Sequence, residues 1–172
     1  MPARPPRFVA AGGVLTPRVM STLPHRPLTT LTLTVAFDQL VTVGKTPAGR
    51  RRIATVTGGR FEGERLSGTV LGGHDWVIDR PDGVMVIDVR LTLKTDDGET
   101  VYLTYQGRFL AEAEAMTRFQ RGGQLAPEDY SLAITARFEC GAAAYSWLND
   151  AVVVGVGEQT LAGPVYRLFE VG

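Results

Sequence analysis

Two charged residues inside a predicted β-strand are the part of this sequence best suited to chemistry. In residues 84–93, Asp88 and Arg90 share one face, and five apolar residues share the other. The two side chains lie about 7 Å apart along the strand, so they could hold one ligand group or pair with each other. Arginine binds carboxylates through two hydrogen bonds, and a buried aspartate can exchange a proton near neutral pH. We predict that the pair lines a pocket, with Arg90 binding the anion of a substrate and Asp88 moving a proton as a catalytic residue; the alternative is a salt bridge that faces water.

Tyr102 and Thr104 share one face of the next segment, residues 100–109. An Asp-Gly turn at residues 97–98 predicts a hairpin that brings this face beside the charged pair. A phenol placed there could donate a hydrogen bond to a developing oxyanion. We therefore predict Tyr102 as catalytic and Thr104 as substrate-binding. The alternative for Tyr102 is an amphipathic wall residue with a satisfied hydroxyl.

His74, Asp75 and Trp76 follow two glycines. Adjacent strand residues point to opposite faces, so His74 and Asp75 do not form a dyad. Asp75 is a second candidate for proton transfer, reaching into a cavity, or else it caps a loop. Trp76 is either a core residue or a platform that binds substrate.

Arg137 and Trp147 complete the predicted substrate-binding residues. An inward Arg137 would make a cavity attract anions, whereas an outward one would cover the wall with its aliphatic stem. Trp147 belongs to a short turn, residues 144–149, that either lids a pocket or plugs the end of the fold.

A persistent β pattern must position these residues. Alternating segments separated by Gly-Gly and Asp-Gly turns predict about nine strands: residues 30–35, 52–57, 64–71, 75–79, 84–93, 100–109, 130–140, 151–157 and 165–171. Helix is expected only at residues 111–120 and 144–149. Such spacing favours an all-β, antiparallel up-and-down barrel able to hold one small ligand. We predict one barrel domain, residues 28–172, preceded by a Pro-rich arm, residues 1–27.

The composition excludes several function classes. The 18 basic and 18 acidic residues balance without a basic stripe, so nucleic acid is not an expected partner. One cysteine and two histidines give neither an internal disulfide nor a zinc site. No run reaches the roughly 20 apolar residues of a membrane helix, and no glycine-rich stretch matches a nucleotide-binding motif. We predict a cytoplasmic protein that uses no metal or cofactor.

The order of short motifs resembles the domain-of-unknown-function 3237 family. The motifs are Gly44-x-x-Pro47-x-Gly49-Arg50-Arg51-Arg52-Ile53, Gly58-Gly59-x-Phe61-x-Gly63-x-x-Leu66-x-Gly68-x-Val70, Gly73-x-Asp75-Trp76, Asp82-Gly83, Asp88-x-Arg90, Asp97-Gly98, Tyr102, Arg137-Phe138-Glu139-x-Gly141, Tyr145-x-Trp147-Leu148-Asn149 and Gly155-x-Gly157. The resemblance implies a lipocalin-like barrel with a central cavity and a homodimer or larger homo-oligomer. Departures from the family pattern at Leu91, Thr104, Tyr105 and Ala133 suggest a bulkier, more apolar or aromatic ligand than relatives take.

Two functions follow from these residues. The first is a cofactor-independent lyase or isomerase that performs decarboxylation, dehydration or isomerisation of a small apolar or aromatic compound. The alternative is a non-catalytic carrier barrel in which the same polar residues only orient a ligand. A third interpretation, a structural barrel filled with side chains, is disfavoured because inward ionisable residues would cost several kcal/mol unless paired.

Overall fold

Eight antiparallel strands, each paired with its neighbours in chain order, close into one barrel. The computed structural model describes residues 22–172. The elements are β1 (His25–Thr46), β2 (Gly49–Glu62), β3 (Gly68–Asp79), β4 (Met85–Thr95), β5 (Thr100–Ala111), helix α1 (Ala113–Gln120), a 3₁₀ turn (Pro127–Asp129), β6 (Tyr130–Cys140), a 3₁₀ helix (Ala143–Asp150), β7 (Val152–Gln159) and β8 (Pro164–Val171). Pairing of β1 with β8 closes the ring.

Asp-Gly turns set the register of the central hairpins. Gly83 and Gly98 adopt φ angles of 86° and 96°, which other residues rarely adopt. At the second turn, the Gly98 N–H donates to the carbonyl of Thr95 at 2.9 Å. The first turn joins β3 to β4, and the second aligns β4 with β5 so that Asp88 lies opposite Gln106.

The barrel interior is built from the apolar face of each strand. On β4 this is the face that carries Met85, Ile87, Val89, Leu91 and Leu93, all buried. One end of the barrel is filled, because Leu148 of the 3₁₀ helix is fully buried there among core side chains. The other end carries α1, where Phe119 stacks on Phe109 with ring centroids 4.7 Å apart.

An irregularity in β3 decides which of its residues face inward. The pairing of β3 with β4 shifts between Val70 and Gly72, leaving Leu71 exposed. Val70 faces inward before the shift, and Val77 faces inward after it. Asp75, two residues from Val77, therefore faces the interior as well.

The all-β barrel prediction is confirmed, with differences in its details. Residues 64–71 and 75–79, expected as two strands, belong to the single long strand β3 and the loop before it, so eight strands form instead of nine. Residues 1–21 of the predicted arm lie outside the described residues, and β1 already begins at His25. Within residues 22–172, no helix is long and apolar enough to cross a membrane.

Candidate functional site

A cavity of about 100 Å³ opens at the barrel end that carries α1. Its apolar lining comes from six elements, β1, β2, β3, β4, α1 and β8: Leu33, Val35, Phe37, Leu40, Ala54, Val56, Val77, Met85, Ile87, Phe119 and Pro164. Its polar lining consists of Arg52, Asp75, Tyr105, Gln159 and Tyr166. A mostly apolar cavity with a few convergent polar groups is typical of a small-molecule site. Its volume suits an occupant no larger than about one ring.

Asp75 projects into this cavity from β3. Its cross-strand neighbours are Ala54 on β2 and Val89 on β4, neither of which offers a polar side chain. The strands β3 and β4 pair at Asp75–Val89 and again from Ile78. In between, the backbone N–H of Asp88 donates to Oδ1 of Asp75 at 3.1 Å.

Burial changes the acid strength of Asp75. Removal from water raises the pKa of this carboxyl to about 7, and the charge of Asp88 acts in the same direction. The Asp88 N–H and the guanidinium groups of Arg52 and Arg51 oppose the change but do not cancel it. Asp75 is therefore half ionised near neutral pH, which is the condition for giving and taking protons there.

Two buried tyrosines complete the polar part of the cavity. The rings of Tyr105 on β5 and Tyr166 on β8 meet edge to face with centroids 5.2 Å apart. Gly157 makes room for this arrangement, since a Cβ there would lie 2.6 Å from the Tyr166 ring. Burial raises the pKa of both phenols well above their usual value, and the charge of Asp75 contributes in each case. Both hydroxyls consequently remain protonated and can donate hydrogen bonds.

Arg52 lies at the cavity edge as one half of an ion pair. Its Nε and Nη2 donate to the two carboxylate oxygens of Asp79 at 2.8 and 2.6 Å, and Nη2 also lies 3.6 Å from Sδ of Met85. Both partners are largely buried. The two-fold hydrogen bonding fixes the guanidinium where it adds positive potential to the cavity.

The prediction that Asp88, Arg90 and Tyr102 line the cavity is wrong. The apolar face of β4 fills the barrel, so Asp88 and Arg90 lie on the outer wall, where they pair at 3.4 Å with side chains 29% and 45% exposed. Tyr102 is exposed on the outside of β5. The charged face of an amphipathic strand faces water here because the other face is wholly apolar. Asp75 is the predicted catalytic residue that the structure places in the cavity.

Four predicted residues nevertheless come together on the outer wall. Asp88, Arg90, Thr104 and Arg137 line one depression outside β4, β5 and β6. Trp76 also lies outside, with the guanidinium carbon of Arg90 4.8 Å from the centre of its ring. Thr104, Arg137 and Trp76, predicted to bind substrate, therefore lie outside the cavity, and for Arg137 this is the outward alternative.

Trp147 lies at the filled end, away from the cavity. Its ring is covered by the guanidinium of Arg65, whose Cζ is 3.9 Å from the ring centre. Its neighbour Tyr145 donates a hydrogen bond to Oδ1 of Asp97 at 2.9 Å. The 3₁₀ helix thus plugs the barrel, and the expected substrate contact of Trp147 is not seen.

Sequence reasoning missed Arg52, Tyr105 and Tyr166. Tyr105 lies on the apolar face of β5, and recognising that this face points inward would have selected it. Tyr166 and Arg52 alternate with outward residues in the same way, on β8 and β2. The signal was present as a polar atom on an otherwise apolar face.

Several known proteins share this barrel. The chain is 32% identical over 125 residues to the UPF0311 protein RPA1785 of Rhodopseudomonas palustris, covering 72% of this chain and 82% of that one. The crystal structure of RPA1785, a conserved protein of unknown function, matches with a TM-score of 0.83 and 28% identity over 89% of this chain and all of that one. A β-barrel-like protein, ABAYE2633 of Acinetobacter baumannii, matches with a TM-score of 0.75 and 34% identity over 87% and 97% of the two chains. An enzyme from Penicillium herquei, 18% identical with a TM-score of 0.65 over 87% and 95%, shares the fold.

The family assignment rests on nearly the whole barrel. A family model described as a protein of unknown function, DUF3237, matches residues 26–171, from the second residue of β1 to the last residue of β8. With the relatives above, this match confirms the resemblance that the motifs indicated. The chain belongs to the DUF3237 family of β-barrel proteins.

Proposed function

We propose that the barrel cavity is the active site of a lyase or isomerase that needs no cofactor, with Asp75 as the group that transfers protons. The observation that carries this proposal is the pKa of about 7 for a carboxyl that faces an apolar cavity beside two phenols. A carboxylate with a purely structural role is usually stabilised by an arginine partner, which lowers its pKa. Acids in cavities whose pKa values are strongly raised instead cluster at functional sites. The Penicillium herquei enzyme supports the proposal by showing that this fold is compatible with catalysis.

The geometry suits proton abstraction next to a carbonyl. In its ionised form, Asp75 takes a proton from the carbon beside the carbonyl, and the electron pair moves onto the carbonyl oxygen. The hydroxyl of Tyr105 or Tyr166 donates a hydrogen bond to the negative charge that develops there. Asp75 then returns the proton at another carbon, which isomerises the substrate, or gives it to a departing hydroxide, which leaves as water.

The cavity limits the substrate. Its volume of about 100 Å³ and its apolar walls favour a compact, uncharged compound with a single ring or a short chain. The Arg52 guanidinium at the edge favours a substrate whose oxygen atoms lie near the opening. Small cyclic ketones, enones and phenols fit this description.

Exchange of substrate protons with deuterium tests proton transfer without knowledge of the product. The protein is incubated in D₂O with a panel of small enones, ketones and phenols, and the loss of carbon-bound proton signals is followed by NMR. We expect exchange for at least one compound and a loss of roughly 100-fold or more in Asp75→Asn. Because the ionised carboxyl is the base, the rate should rise with pH through a midpoint near 7.

A matched control separates catalysis from a general charge effect. Asp96→Asn removes a carboxylate from the surface, where it pairs with Arg60 at 3.5 Å, and should leave the exchange rate unchanged. Equal rates in wild type and Asp75→Asn would refute the proposal. Tight binding without exchange across the panel would instead establish the carrier function.

A further inference from the structure

The outer wall of the barrel carries a polar groove that the cavity does not use. It has a volume of about 280 Å³ and is lined by side chains of β4, β5 and β6. The strand register arranges them in two adjoining rows. Arg90, Thr104 and Arg137 form one row, and Asp88, Gln106 and Thr135 form the next.

The two arginines of this groove, Arg90 and Arg137, make few ion pairs with other described residues. Within residues 22–172, Arg137 makes no ion pair, and the one ion pair of Arg90 is a contact of 3.4 Å to Asp88. Arg52, by contrast, binds Asp79 through two hydrogen bonds of 2.8 and 2.6 Å. The groove thus holds two guanidinium groups against one carboxylate and keeps donor capacity unused.

Trp76 prepares one of these arginines for binding. The guanidinium carbon of Arg90 lies 4.8 Å from the centre of the Trp76 ring, and this ring is half-buried on β3. Stacking on an aromatic face restricts the guanidinium and reduces the entropy lost when it binds a ligand. Arg90 is therefore partly preorganised beside the groove.

We propose that this groove binds a small anion through a phosphate or carboxylate group. Arg90 and Arg137 lie two strands apart, roughly 10 Å between their Cα atoms, so the long side chains can approach one anionic group from opposite sides. Thr104 lies between them and offers a hydroxyl donor, and Gln106 offers its amide. On binding, the anion replaces Asp88 as the partner of Arg90.

Calorimetric titration tests the site directly. Inorganic phosphate and succinate are titrated separately into the full-length protein at low ionic strength, with sodium chloride as a third titrant. We expect a dissociation constant of about 1 mM or tighter for at least one of the two oxyanions. Binding of phosphate alone identifies a phosphate-bearing ligand, and binding of succinate alone identifies a carboxylate. No heat from either oxyanion, or an equal response to chloride, would overturn the proposal.

Two variants with the same charge change decide whether the groove is the site. Arg137→Gln removes an exposed groove arginine and should weaken binding about tenfold. Arg108→Gln removes an arginine from β5 on the same outer wall, where its Nη1 donates to the adjacent carbonyl of Gly107 at 2.8 Å, and should change affinity less than twofold. Equal weakening by both variants would mean general attraction to positive charge and would also overturn the proposal. Both side chains are exposed, so neither substitution should prevent folding.

Discussion

The raised pKa of Asp75, which suits proton transfer, lowers the stability of the folded protein at neutral pH. The folded protein holds its proton more tightly than the unfolded chain, because burial raises the pKa of the carboxyl from 3.8 to about 7. The free energy of unfolding therefore falls as the pH rises from about 4 to about 7, and the effect is constant above that range. A difference of about three pKa units corresponds to roughly 4 kcal/mol at full ionisation. A residue that lowers the free energy of unfolding by this much is expected at a site where activity requires it.

Replacing Asp75 by asparagine should stabilise the protein at alkaline pH. Asparagine keeps the shape and an oxygen that accepts the Asp88 N–H, but it carries no charge to bury. We expect the free energy of unfolding at pH 8 to rise by about 1–4 kcal/mol, with little change at pH 4. Urea denaturation at the two pH values measures this, and Asp96→Asn is the surface control. A loss of stability at pH 8 would show that the carboxylate is not held at a cost.

At the scale of elements, the sequence showed which residues of a strand share a face. It did not show which of the two faces points into the barrel. The two faces of β4 were separated correctly, but the sequence left open which one faced the interior. Closure of the barrel decides this, because the face with five apolar side chains must leave water. The inward position of Asp75 could not be derived from closure alone. The irregularity between Val70 and Gly72 changes which residues of β3 face the interior. A simple alternation count cannot foresee such a bulge, although the Gly72-Gly73 pair is a signal for one.

Gly73 should be essential for the path of β3. A Cβ at this residue would collide with the carbonyl oxygen of Arg90 on β4. Gly73→Ala should therefore lower the free energy of unfolding by about 2–4 kcal/mol, since backbone rather than a side chain must move. Gly141→Ala is the matched control, because among residues 22–172 no atom outside Gly141 and its two chain neighbours lies within 4 Å of the added methyl group. Chemical denaturation of both variants gives the comparison, and equal stabilities would contradict the role assigned to Gly73.

At the scale of the whole molecule, the outer surface is uneven in polarity. β7 buries Val153 inside the barrel and exposes Val152, Val154 and Val156 on the outside. Strands that are apolar on both faces are typically covered on both. This outer face agrees with the homo-oligomer that the family resemblance implies, which stays a prediction.

Sedimentation at micromolar concentration tests the assembly. We expect a mass of at least twice the 18.6 kDa of one chain. Val154→Lys should shift the protein toward the monomer, because a charge buried at an apolar interface is costly. Leu71→Lys adds the same charge to the exposed outer side of β3 and should leave the mass unchanged. A monomeric wild type would exclude the assembly.

The barrel wall is one sheet thick, so a single peptide group connects its two sides. The side chain of Asp88 lies on the outer wall, whereas its backbone N–H donates a hydrogen bond to the Asp75 carboxylate inside the barrel. Its ¹⁵N and ¹H chemical shifts should therefore follow the protonation of Asp75, with a midpoint near pH 7. In an HSQC titration of ¹⁵N-labelled protein, this one cross-peak reports the charge of the carboxyl inside the cavity without any added ligand.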